Sequence, residues 1–182
     1  MKKVAVFLAD GFEEIEALST IDILRRAGVD VTIVSITGYY VAKGAHNVKV
    51  DTNEIFDDMD FSKMDMLVLP GGMPGAQNLN DHEGVRKIVT EFVCDGKEVA
   101  AICAAPMVLG SLGLLQGKNA TCYPGFESEL IGANVTGASV VVDENITTGK
   151  GPGFAFDFAL ALVEKLVGVE VRKEVERGML LV

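Results

Sequence analysis

The sequence predicts an α/β domain in which a doubly wound, mostly parallel β-sheet is sandwiched between helices, and three observations predict it. Short apolar runs rich in Val, Ile and Leu alternate with segments of helical period. Glycines stand where those helical segments stop, at Gly28 and Gly96. The 182-residue chain is 49% hydrophobic, long enough for one well-cored domain and short for two, so residues 1–182 are read as a single domain.

Taken in order, "KVAVFLA" (3–9) is a strand, "EEIEALSTIDILRRAG" (13–28) a helix closed by Gly28, and "VDVTIVS" (29–35) the next strand, which together make a βαβ unit. "MDMLVLP" (64–70) is a strand ending at Pro-Gly-Gly, "HEGVRKIVTEFVCDG" (82–96) a helix, and "KEVAAIC" (97–103) another strand. Residues 37–52 and 133–149 carry Gly/Asn turn residues between short Val-rich runs, so both are expected as antiparallel ribbons decorating the sheet edges. After "KGPG" (150–153), "FAFDFALALVEKLVG" reads as an amphipathic helix with Phe154, Phe156 and Phe158 in the core, and "VEVRKEVERGM" as a short charged one.

A formal charge of −10 with no basic tract argues against nucleic acid and anionic membrane as direct ligands. No apolar stretch reaches the roughly 18 residues of a membrane span, and acidic residues from Asp10 onward arrive too early for a signal peptide. Three cysteines at irregular spacing, Cys94, Cys103 and Cys122, suggest neither a disulfide framework nor a zinc site. A cytoplasmic protein without metal or cofactor is expected.

In an open parallel sheet, ligands bind beyond the carboxyl ends of the strands, so the loops that follow strands carry the information. "DGFEEIE", "PGGMPGAQNL" and "CAAP" follow the first, third and fourth strands. In a 2-1-3-4 strand order these loops meet in one crevice. Cys103 stands at a strand-to-helix turn, where a tight backbone projects a nucleophile and a helix N-terminus favours its thiolate; taken alone the stretch favours a packing thiol. Gly71 and Gly72 allow backbone N–H groups to converge on an anionic atom, although no Walker-type lysine follows. Of the three carboxylates in "GFEEIEA", Glu13, Glu14 and Glu16, helical periodicity does not say which points inward. One buried beside the thiol would have a raised pKa and hydrogen-bond to sulfur.

Together, "LADGFEEIEA", "DILRRAGVDVT", "MLVLPGGMPGAQNL", "AAICAAP" and "GPGFAFDFALALVE" resemble, in order and over nearly the whole length, the ThiJ/PfpI superfamily. The resemblance is greatest to its DJ-one-like, parkinsonism-associated protein deglycase branch. It implies a flavodoxin-like, class I glutamine-amidotransferase-like fold and a homodimer. It also implies Cys103 as nucleophile, Glu16 as its protonated hydrogen-bond partner, and the Gly71, Gly72 and Ala104 amides as an anion pocket. Tyr123, Gly151 and Pro152 would line that pocket, with Arg26 and His46 near a dimer contact. Where many relatives carry Thr-x-His-Pro, this chain reads "TCYP" with Tyr123, which weakens a Cys-His dyad. The implied function is a protein or nucleotide deglycase, or a glutathione-independent glyoxalase, acting on methylglyoxal or its adducts. The alternatives are a redox-sensing or chaperone-like binding protein working through Cys103, and an intracellular cysteine peptidase.

Overall fold

The structure is a computed structural model and describes residues 1–181. Its elements, in chain order, are β1 (Lys3–Leu8), α1 (Glu14–Arg26), β2 (Asp30–Ser35), β3 (Val41–Lys43), β4 (Lys49–Asp51), β5 (Glu54–Ile55) and β6 (Met66–Leu69). There follow α2 (Gly75–Asp81), α3 (Glu83–Cys94), β7 (Glu98–Ile102), α4 (Pro106–Ser111), β8 (Asn119–Ala120), β9 (Asn134–Val135), β10 (Val140–Asp143), β11 (Ile146–Gly149), α5 (Ala155–Val167) and α6 (Val169–Gly178).

Seven strands form the main sheet in the order β10-β11-β7-β6-β1-β2-β5, parallel except for the β10–β11 pair. The strands β2-β1-β6-β7 stand in the expected 2-1-3-4 arrangement. Side chains alternate across this sheet with period two. Ala5 and Phe7 of β1, Leu67 and Leu69 of β6, and Val99 and Ala101 of β7 enter the core that α3 and α4 cover with Val85, Val89, Val108 and Leu109. Val4, Val6 and Leu8, Met66 and Val68, and Ala100 and Ile102 enter the opposite core, covered by α1 and α5 with Ile23, Leu24, Phe158 and Leu162. Both faces are apolar because both are covered, which is why these strands read as continuous hydrophobic runs.

Gly28 ends α1 as expected. It adopts φ +74°, and the following Val29 N–H returns to the Leu24 carbonyl at 3.1 Å, satisfying an orphan acceptor of the last turn.

Three expectations need correction. Residues 37–52 do form an antiparallel ribbon, β3–β4, but as a separate two-stranded sheet. In the 133–149 stretch, β11 is an interior strand beside β7 with every residue buried, β10 is the edge, and β9 pairs parallel with β8. The sequence "ITTG" looks half-polar. However, Thr147 and Thr148 are about 1% exposed, and Thr148 Oγ1 accepts the Thr121 N–H at 3.0 Å, so a buried strand tolerates them. Of the three phenylalanines placed in the core, only Phe158 is buried; Phe154 and Phe156 stand 38% and 42% exposed.

Candidate active site

Because β1, β6 and β7 are adjacent, the loops that follow them meet at one end of the sheet, joined by the loop after β11. Cys103 follows β7 directly and adopts φ +66°, a conformation uncommon for a residue with a Cβ. Main-chain bonds hold it there: its N–H donates to the Gly149 carbonyl at 2.9 Å, and its carbonyl accepts the Tyr123 N–H at 2.9 Å. The elbow expected at this turn is therefore present.

Three carboxylates of one helical turn meet three different environments. Glu13 is the N-cap of α1 and accepts the Glu16 N–H at 2.7 Å. Glu14 turns the other way, onto the β3–β4 ribbon, where it accepts the His46 N–H at 2.7 Å and the Val48 N–H at 3.4 Å and pairs with His46 Nδ1 at 2.8 Å. Burial works to raise the Glu14 pKa, but these hydrogen bonds outweigh it and hold the carboxyl below its usual value. His46, paired to Glu14, is raised in return.

Glu16 is the inward one. It is fully buried, and its Oε2 accepts the Gly71 N–H at 2.9 Å. Its Oε1 is buried without a partner of good geometry, and the carboxyl's remaining hydrogen-bonding neighbour is the Cys103 thiol. Burial pushes Glu16 up to about 7 against the opposing pull of Cys103 and the Gly71 N–H, with the Glu13 charge adding to the rise.

The thiol is 8% exposed. Burial, then the charge and hydrogen bond of an ionised Glu16, push it up to about 12, while the Gly72 and Ala104 N–H groups pull it down. What the structure corrects is the source of the stabilisation expected from a helix N-terminus. The helix α4 starts only at Pro106 and has six residues, so the donors to sulfur are two local amides. Cys103 and Glu16 titrate as a pair, and between about 7 and about 12 the pair holds one proton. With that proton on Glu16, the charge sits on sulfur facing the two amides.

The two glycines play different parts. The Gly71 N–H serves Glu16, so it orients the acid and is not free to meet an anion. A Cβ at Gly71 would lie 2.5 Å from Cys103 Cβ and 2.7 Å from Glu16 Oε2, so only glycine permits this approach. Gly72, at φ +86°, turns its N–H to the sulfur.

Tyr123, Gly151 and Pro152 line a cleft of about 260 Å³ together with Pro124, Lys150 and Phe154. Pro124 and Lys150 were not singled out in the sequence, and Phe154 was placed in the core; a phenylalanine beside a Gly-Pro-Gly turn was the available signal. Larger hollows lie elsewhere, one of about 410 Å³ along Lys63, Asp65 and Lys165, another of about 530 Å³ between Arg26 and Val171. Arg26 is half exposed and bonds Asp22 at 2.6 Å. His82 caps α3, accepting the Val85 N–H at 3.1 Å, and neither histidine is among the groups that perturb the thiol.

Among the described residues, Glu13, Glu14 and His46 bring donor atoms within 4.8 Å of one another. Both carboxylates, however, already accept N–H donors there.

A thiol on a positive-φ strand-to-helix elbow, paired with a buried carboxyl and faced by two amides at the carboxyl end of a doubly wound sheet, defines a cysteine-centred α/β protein. Comparison with known proteins places it within that class. Residues 2–165 match the model of the DJ-1/PfpI family, and the chain belongs to that family. Protein DJ-1 homolog B of Arabidopsis thaliana is 40% identical over 176 residues, covering 96% of this chain and 40% of that protein. Protein dj-1beta of Drosophila melanogaster is 36% identical over 98% of this chain and 97% of its own, and its crystal structure superposes with a TM-score of 0.93. Oxidized Toxoplasma gondii DJ-1 superposes with a TM-score of 0.95 at 36% identity, covering 99% of this chain and 98% of that one. The chain therefore spans nearly all of some relatives and less than half of the Arabidopsis ones, 40% and 47%.

Proposed function

We propose that this chain is a cysteine-dependent enzyme of stress defence that converts α-oxoaldehydes such as methylglyoxal, or their early adducts on proteins and nucleotides, to hydroxy acids. One observation carries the reading: a buried carboxyl raised to about 7 hydrogen-bonds the elbow thiol, while the Gly72 and Ala104 N–H groups face the sulfur. In the state with the pair's single proton on Glu16, the site presents a thiolate and a proton donor together.

In this reading the Cys103 thiolate bonds to the aldehyde carbon, the C=O electron pair moves to oxygen, and that oxygen takes the proton from Glu16. Glu16, now ionised, passes a proton from the hemithioacetal carbon to the neighbouring carbon, while the hemithioacetal hydroxyl proton goes to the neighbouring carbonyl oxygen, giving a thioester of the hydroxy acid and returning the acid to its starting state. Water then hydrolyses the thioester, so the sum is aldehyde plus water to hydroxy acid. The test is methylglyoxal loss with lactate formation. Equal activity in Cys103→Ala would sink the proposal.

A second reading, redox sensing at Cys103, draws on the same amides and acid, which would hold a sulfinate, and on the oxidized state of the Toxoplasma relative. Peroxide titration with mass spectrometry separates the two. Peptidase activity lacks an imidazole beside the thiol and is the weakest reading. A homodimer is proposed as well, with Arg26 and His46 near its contact and the exposed Ile15 and Leu18 of α1 available to it. Sedimentation measures the oligomeric state directly. Among the described residues no helix is long and apolar enough to cross a membrane; a cytoplasmic location belongs to the same proposal.

A further inference from the structure

We propose that the cleft beside Cys103 is a subsite for the apolar, above all aromatic, substituent of the carbonyl substrate, with Tyr123 and Phe154 as specificity-determining residues. The proposal rests on the reading of Cys103 as a carbonyl-attacking nucleophile. It begins from the way the walls are attached. One wall starts at Tyr123, whose N–H is bonded to the Cys103 carbonyl; the other follows Gly149, whose carbonyl accepts the Cys103 N–H, both at 2.9 Å. The two walls of the cleft are thus pinned to opposite ends of the reactive residue's own peptide units, so the cleft adjoins the Cys103 main chain although Cys103 itself does not line it.

The lining is chemically one-sided. Tyr123, Pro124, Pro152 and Phe154 present rings, and Gly151 presents no side chain. The one charged lining group, Lys150, has its amine engaged by the Gly137 carbonyl at 3.0 Å. Tyr123 and Phe154 stand 46% and 38% exposed, and Met73, next to the Gly72 amide that faces sulfur, is 47% exposed. Exposed aromatic rings around a cleft that nothing in the chain fills are surface available for an apolar ligand. The cleft volume of about 260 Å³ exceeds the roughly 150 Å³ that suffices for benzene in an apolar cavity.

Gly151 sets the width. A Cβ added there would lie 3.0 Å from the Tyr123 ring, so the glycine is what leaves the ring its place and the cleft open. An aldehyde with a hydrogen or methyl substituent would leave these rings in water, whereas a phenyl substituent would cover them. A gain of about 10-fold or more is expected for the larger group.

The test uses two α-haloketones of identical warhead, bromoacetone and phenacyl bromide. Their rates of Cys103 alkylation are read by mass spectrometry and normalised to N-acetylcysteine. The expected result is an approximately 10-fold normalised preference for phenacyl bromide that falls to about 2-fold or less in Tyr123→Ala and in Gly151→Ala. Circular dichroism confirms that both variants are folded. A normalised ratio of one in the parent, or a preference undiminished in both folded variants, overturns the proposal.

In parallel, kcat/KM is compared for phenylglyoxal and glyoxal, and the same preference and the same loss are expected. Alkylation preference without Cys103-dependent turnover of either aldehyde would support the subsite and overturn the enzymatic reading, so the two failures are distinguishable.

Discussion

Cys103 and Cys122 are both buried, 8% and 4% exposed, and burial pushes both thiols up, to about 12 and about 11. By burial and titration alone they are nearly the same residue. The difference lies in what surrounds the sulfur. Cys122 has the charge of Glu127 as its other influence, which raises it further. Cys103 sits at φ +66°, faces the Gly72 and Ala104 amides, and hydrogen-bonds with the Glu16 carboxyl. A high thiol pKa therefore does not separate a packing cysteine from a reactive one. The presence of a proton acceptor and of N–H donors to the sulfur does.

The largest effect that would break this comparison is on turnover. Cys103→Ala is expected to lower methylglyoxal conversion by about 10³-fold or more, as loss of a covalent nucleophile does. Cys122→Ala, measured alongside, is expected within about 3-fold of the parent. If the two variants behave alike, the distinction between the cysteines is wrong.

Next in size is stability. Folding raises the first proton loss of the Cys103–Glu16 pair from 4.5, that of Glu16 in the unfolded chain, to about 7, so the folded state holds that proton more tightly whichever of the two groups gives it up. Its contribution is fully present below about pH 4.5 and is lost as pH rises through 7, amounting to about 3 kcal/mol. Glu16→Gln cannot ionise and lacks this loss. Denaturant unfolding at pH 5 and pH 8 should show the variant gaining on the parent at the higher pH; parallel stabilities would mean that Glu16 is not the buried acid described here.

Smaller again is selectivity towards peroxide. At limiting oxidant, sulfinate should form on Cys103 about 10-fold faster than on Cys122, because Glu16 can take the Cys103 proton and the Gly72 and Ala104 amides face the resulting thiolate, and neither is among the influences on Cys122. Mass spectrometry of the separated peptides reads the ratio. Equal oxidation would reduce Cys103 to the condition of its neighbour.

Much of this arrangement was legible in the residues. The alternation of apolar runs with helical segments, closed at Gly28 and Gly96, placed β1, α1, β2, β6, α3 and β7 to within about two residues, and the elbow at Cys103 followed from a strand running into "CAAP". What periodicity left open was the choice among Glu13, Glu14 and Glu16. The three are separated by contacts far away in sequence: Glu14 by a ribbon 32 residues on, Glu16 by Gly71, 55 residues on. A helical wheel carries no such information. The inward placement of β11 was hidden for a related reason, since its threonines look polar until Thr121 supplies the hydrogen bond that lets one of them be buried. Phe154 and Phe156 misled in the opposite sense, because a large apolar side chain is more often core than cleft.

The central claim is that Cys103 and Glu16 share one proton near neutral pH, with charge on the sulfur. Thiolate absorbance against pH, taken as the difference between the parent and Cys103→Ser and repeated in Glu16→Gln, tests it most directly. The claim predicts a Cys103-dependent thiolate signal rising near pH 7 in the parent and moving to or above the ordinary thiol value of about 8.5 without the acid. A parent signal that first rises at about 8.5 or higher, unchanged in Glu16→Gln, would contradict it and return Cys103 to the company of Cys122.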